Sequence, residues 1–153
     1  MIYLRTATDA DMAIVLAWRN NPDVYNLTYS QRKPLSWSIH KVWWQSREDW
    51  VKLMVCLIDE DLVERPVGIL NISPLCYWSP EIGITIGETS LWGNGVGAEA
   101  FALGCVWLRD KGYGYTSTTV LRDNDRMRGI LEKLSFEMDG YGRDNEIRYS
   151  KKL

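Results

Sequence analysis

Cysteine is scarce: Cys56, Cys76 and Cys105 are the only three, all in apolar or aromatic settings and without a C-x-x-C pair. So sparse and odd a set excludes a disulfide framework and a zinc site, and it suits a reducing cytosol. Histidine is scarcer still, with His40 alone. Neither sign of charge is in excess: 18 Lys and Arg against 20 Asp and Glu leave a formal net charge of −2. That argues against the strong basic field of a nucleic-acid binder. No apolar run approaches the roughly 18–20 residues that a membrane-spanning helix needs. The opening MIYLRTATDAD turns acidic too early for a signal peptide. No repeat, low-complexity tract or linker divides the chain. The expectation is a single cytoplasmic domain of 153 residues, with no nucleic acid, membrane or metal as partner. What the chain does have in quantity is tryptophan, eight in all. Such rings fill a core, and they also wall a ligand cleft.

The hydrophobic periods predict the order β-α-α-β-β-β-α-β-α-β-β, an α+β arrangement with one late helix crossing between two strands. Residues 2–5 read as a strand. Thr8 or Asp9 caps a helix carrying Met12, Val15, Leu16 and Arg19, which Asn20-Asn21-Pro22 ends. Ser36 or Ser38 caps a second helix, with Ile39, Val42 and Trp43 spaced for one buried face. Residues 51–59 and 66–73 form a hairpin, and 81–88 a further strand. Residues 94–111 make a long amphipathic helix with Val96, Ala100, Leu103 and Trp107 on one stripe, stopped by Gly112-Tyr113-Gly114. Residues 115–120 are a β-branched strand, Asp123 or Asn124 caps a last helix, and 136–140 and 146–152 close the chain as a strand pair.

The most informative stretch is EIGITIGETSLWGNGVGAEA, residues 81–100. A strand leads through a loop to glycines that open a helix. Free N–H groups of the first helical turn and the helix dipole favour an anion there, and glycines let phosphates approach the backbone. Three phosphate ligands compete. A P-loop needs G-x-x-x-x-G-K-[ST], and no Lys-Ser or Lys-Thr follows. A dinucleotide fold is compatible with Gly95, Gly97 and Ala100, which spell G-x-G-x-x-A ahead of Asp123, although five residues separate the strand from the turn. The third ligand is acyl-coenzyme A.

For the third ligand the residues carry a resemblance. Trp92-Gly93-Asn94-Gly95-Val96-Gly97 resembles the Q/R-x-x-G-x-G/A phosphate motif of the GNAT superfamily of acyl-CoA N-acetyltransferases, with Trp92 in place of Gln or Arg. Asn124 through Leu134-Ser135-Phe136 resembles that family's N-x(9)-L-G-F block, and Glu81-Ile82-Gly83-Ile84 its cofactor-lining strand. The blocks stand in the family's order, closest to its ribosomal-protein and small-amine branch. The resemblance implies a mixed, mostly antiparallel sheet of about six or seven strands with a splayed parallel pair, flanked by about four helices. It implies acetyl-CoA as co-substrate, its pyrophosphate on N–H groups from Trp92 to Gly97 and its pantetheine against Ile84, Thr85 and Ile86. Asn124 would fix the cofactor or its loop. Residues 51–153 would then serve mainly acetyl-CoA, and residues 1–50 mainly the acceptor.

Acyl transfer to an amine needs a neutral nucleophile and hence a general base. Glu81, at the start of the cofactor strand, is the first candidate, and His40, which titrates in the useful range, is the second. The family's usual tyrosine acid is replaced by Leu131, leaving Tyr113, Tyr115 or water. On the acceptor side, Trp18-Arg19-Asn20 and His40-x-x-Trp43 resemble the W-R-N … H-x-x-W arrangement of GNAT enzymes that acetylate nucleotide-linked 4-amino sugars in pseudaminic-acid biosynthesis, with Tyr25 where such enzymes commonly carry an Arg. Arg19 would hold a phosphate, Asn20 a sugar hydroxyl, and Trp43 would stack on a ring. Core packing of Trp18 and Trp43 and helix capping by Arg19 and Asn20 stay open beside that reading. So do protein N-terminal acetylation and a non-catalytic acyl-CoA-binding module. The acceptor expected is a small-molecule amine, and a homodimer is compatible with free strand edges.

Overall fold

In the computed structural model, which describes residues 1–153, the chain begins with β1 (Ile2–Thr6), α1 (Met12–Arg19), α2 (Pro22–Tyr25) and α3 (Trp37–Gln45). It continues with β2 (Val51–Ile58), β3 (Glu64–Ile72), β4 (Ile82–Ile86), α4 (Val96–Asp110) and β5 (Tyr115–Leu121). It ends with α5 (Asp125–Lys133), β6 (Glu137–Tyr141) and β7 (Glu146–Lys152). β1 to β4 make one antiparallel sheet in sequence order, and β5, β7 and β6 a second. The two meet at one parallel bridge, Glu81 to Ser117, and part beyond it. This is the splayed pair the resemblance implied.

Both faces of the first sheet are covered, which is why β2 and β3 read as near-continuous apolar runs. Leu53, Val55, Leu70 and Ile72 pack with Phe101 and Leu108 of α4, while Met54, Cys56 and Ile69 pack with Met12, Val15, Trp18 and Trp44. Pro66, which has no N–H for a ladder, sits where the register shifts from Val55–Gly68 to Cys56–Pro66. At the head of α1 the Asp11 carboxylate accepts from Thr8 N at 2.8 Å and takes a two-pronged bond from Arg5 at 2.9 and 2.8 Å. That ties β1 to the helix start. α4 ends in a Schellman turn, with Tyr113 N donating to Leu108 O and Gly112 at φ 93°.

Two expected helix faces are wrong. On α3, Ile39 is 57% and Val42 65% exposed, whereas His40 and Trp44 are buried. The pattern counts histidine as polar, but this imidazole has a partner for each ring nitrogen and so can be buried. On α4, Val96 and Ala100 do face the core, but Phe101, Gly104, Cys105 and Leu108 complete it, and Leu103 and Trp107 are only half-buried. Gly104 lets the helix sit so close that a Cβ there would stand 2.6 Å from Ile82.

Candidate functional site

The parting of β4 from β5 leaves backbone groups without a neighbour. Ser73 N donates to Glu81 O and Gly87 N to Val67 O, both at 2.9 Å, so the odd-numbered residues of β4 bond to β3. By the alternation of an antiparallel ladder, the N–H and C=O groups of Ile84 and Ile86 point into the gap. They wall a cleft of about 450 Å³ with Trp92, Gly93, Gly95 and Gly97 at one end and Asn124, Arg126 and Lys133 of the α5 segment opposite. Gly93 and Gly95 hold φ of 86° and 85°, in the left-handed region that favours glycine. Gly95 is the N-cap of α4 and brings no capping side chain, so the first-turn N–H groups are left for a ligand. Asn94 lies outside the cleft wall and Val96 is buried in the core. The Ile86 carbonyl is already taken, accepting from Trp92 Nε1 at 2.9 Å, which leaves its N–H. Asn124 caps α5, its Oδ1 accepting from Met127 N at 3.2 Å.

A second cavity, of about 190 Å³, opens on the α1–α3 side and shares Val24, Thr28 and Thr85 with the cleft. It is walled by Trp18, Arg19, Tyr25 and Trp43, four of the acceptor residues expected from sequence, and by Gln31 and Asn71. Trp18 is 5% exposed and lies flat on Gly87, where a Cβ would come within 1.9 Å of its ring. The Arg19 guanidinium sits 4.0 Å from the centre of the Trp43 ring and donates to His40 Nδ1 at 3.1 Å. None of the four ion pairs in the chain includes Arg19. Burial, helped by the nearby Arg47 charge, lowers its pKa to about 10. Gln31 locks its backbone, donating to Arg19 O at 2.6 Å. Asn71 Oδ1 is buried and has no hydrogen-bond partner.

Two expected roles change. Asn20 is used up within the fold: its Nδ2 donates to Leu35 O at 2.9 Å and its Oδ1 accepts from Leu35 N at 2.7 Å. It clamps the loop after α2 and does not reach the cavity. His40 is buried and fixed. Arginine can only donate, so Nδ1 is the acceptor and Nε2–H donates to Met12 O at 2.9 Å. Burial holds its pKa below the usual value. With its lone pair occupied, His40 positions Arg19 and is not placed to take a proton from substrate.

Glu81 stands on the same face of β4 as Thr85, four residues back, about 13 Å along a strand. Between them lies Gly83, with open space where a Cβ would be. The Glu81 carboxyl has Arg148, Glu146 and Thr119 as neighbours, and desolvation raises its pKa against the pull of Arg148. No tyrosine enters the cleft from α5: Leu131 is fully buried. Tyr113 donates its hydroxyl to Leu75 O and Tyr115 packs edge-on against Trp78, so neither reaches the thiolate end. Gln31 and Asn71 were missed in the sequence. A lone amide carries no pattern, and only the fold brings these two to one cavity.

The sequence and the fold match known proteins. A family model described as an acetyltransferase (GNAT) domain matches residues 2–137. An uncharacterized protein of Methanocaldococcus jannaschii is 39% identical over 152 residues, 99% of this chain and 31% of that protein. This chain thus spans about a third of that relative's length. The crystal structure of a domain from the same organism superposes with a TM-score of 0.95 at 39% identity, covering 100% of this chain and 99% of that one. The aminoglycoside acetyltransferase AAC(6')-Ib in complex with ribostamycin and coenzyme A shares the fold, with a TM-score of 0.83 at 17% identity over 99% of this chain and 93% of that one. No helix is long and apolar enough to cross a membrane.

Proposed function

Because the chain belongs to the GNAT acetyltransferase domain family, we propose that it transfers acetyl from acetyl-CoA to the primary amine of a small, anionic acceptor, a nucleotide-linked amino sugar. One observation carries the acceptor class. Arg19 is a desolvated cation in a cavity that adjoins the cofactor cleft, and no carboxylate of the chain neutralises it. A phosphate of the acceptor supplies the missing charge. The unpaired Asn71 amide calls for a group that can donate a hydrogen bond, which an amine or a sugar hydroxyl does.

The cleft fits acetyl-CoA. The glycine loop and the first turn of α4 hold the pyrophosphate, and the free groups of Ile84 and Ile86 pair with the pantetheine arm. The thioester then lies near Thr85, where cleft and cavity share a wall. The amine nitrogen attacks the thioester carbonyl carbon, and a β4 N–H stabilises the oxyanion. Collapse breaks the C–S bond, and coenzyme A leaves with the electron pair. Of the two protons lost by the ammonium group, one goes to Glu81 through water over the bare Gly83. The other reaches the thiolate through water, since no tyrosine is at hand.

The test is thiol release from acetyl-CoA with a UDP-linked 4-amino sugar, set against the same sugar without its diphosphate. Turnover is expected only with the first. Equal turnover of both would remove the anionic-acceptor reading, and acetyl-CoA binding without thiol release from any amine would favour a binding module.

A further inference from the structure

The cofactor cleft is lined by two cations that no ion pair of the chain uses, Arg126 and Lys133, and Arg126 is the one held against a ring beside the glycine loop. Trp92 stands at the entrance to the glycine loop, its indole anchored by the Nε1 bond to Ile86 O at 2.9 Å. The Arg126 guanidinium lies 4.7 Å from the centre of that ring. Both side chains line the cleft together with Gly93 and Gly95. Arg126 belongs to the first turn of α5, so it approaches from the opposite wall. None of the chain's ion pairs uses it, including any with Asp125 beside it. The basic side chains nearby that do not line the cleft lie against other groups of the chain. Arg128 donates to Tyr149 Oη and Arg122 O, both at 3.1 Å. Arg122 lies over Tyr141 at 5.7 Å and Lys111 over Trp107 at 5.3 Å.

A guanidinium stacked on an indole keeps its in-plane N–H fork free, the geometry that grips phosphate oxygens two at a time. We propose that Arg126, held by the Trp92 ring, clamps the cofactor pyrophosphate from the α5 side, opposite the N–H groups of the glycine loop. This inference rests on the acetyl-CoA reading above. Trp92 carries no charge of its own and acts as the platform. The consequence is that the phosphate site closes between two helices instead of resting on one.

Calorimetric titration with acetyl-CoA and with dephospho-CoA separates the outcomes. Arg126→Gln is expected to weaken both about tenfold, the scale of one charge-assisted contact. Trp92→Leu should weaken both by a similar factor, and the double substitution should be little worse than either alone. Melting temperatures of the free variants are expected to stay near the parent value. Arg126→Gln binding as tightly as the parent would overturn the proposal. A loss confined to the ligand carrying the 3′-phosphate would overturn the pyrophosphate assignment. A parent chain that binds neither ligand would instead overturn the acetyl-CoA reading itself.

Discussion

The cleft beside the glycine loop and the cavity beside α1 and α3 share Val24, Thr28 and Thr85, yet they are made of different material. The cleft is mostly backbone: unpaired groups of β4, two glycines at positive φ, and an uncapped helix start. The cavity is mostly side chain: a cation, two indoles and two amides gathered from α1, α3, β3 and the loop after α2. A backbone site depends chiefly on strand order and on glycine, and under the proposal above only Trp92 and Arg126 add side chains to it. A side-chain site depends on particular residues and on what holds each in place. The division also suits the proposed chemistry, with one constant co-substrate on the backbone and a selected acceptor on side chains.

The sharpest way to break the comparison is at Gly95. Gly95→Trp puts a bulky L-residue at φ 85° in the loop and is expected to abolish acetyl-CoA binding, read by calorimetry. Retained binding would mean that the loop does not hold the phosphates. Next in size is Glu81→Gln, which is expected to lower kcat about a hundredfold while sparing cofactor affinity. The upward direction of the Glu81 pKa moves the acidic limb of the parent's pH–rate profile above that of a free glutamate, and the variant should lose that limb. An unchanged profile would acquit Glu81.

Smaller effects are expected across the cavity. Arg19→Gln should raise the acceptor KM roughly tenfold to a hundredfold, in line with one lost charged contact, with no change for acetyl-CoA. Equal losses for both ligands would show that the two sites are not separable. Asn71→Leu should cut kcat/KM several-fold and raise the melting temperature, because it removes a buried acceptor that has no partner in the free protein. A fall in both would make Asn71 structural. The smallest effect is on stability. The folded pKa of His40 lies below its usual value, so the unfolded chain binds more protons between that value and about 6.5. Stability is therefore expected to fall as pH drops through this window, and a flat melting temperature between pH 7 and 5 would contradict the buried neutral imidazole.

Local signals were legible where local forces decide. Asn20-Asn21-Pro22 does end α1, Ser36 and Asn124 do cap α3 and α5, and Gly112 does stop α4. The α3 face was not legible, since the burial of His40 depends on Arg19 and on the Met12 carbonyl, 21 and 28 residues away. Asn20 fooled the reading for the same reason: its partner Leu35 is 15 residues on.

The sequence by itself determined the strands, the four longer helices and the glycine turn that opens α4, because hydrophobic period, capping residues and glycine act within a few residues of chain; the single-turn α2 falls outside the expected order. Only the tertiary structure decided which indoles wall the cavity beside α1 and α3, that His40 bonds Arg19, and that Asn71 Oδ1 is buried without a partner. Those outcomes turn on the angle at which β4 leaves β5 and on which distant groups satisfy a buried polar atom. No local pattern encodes either.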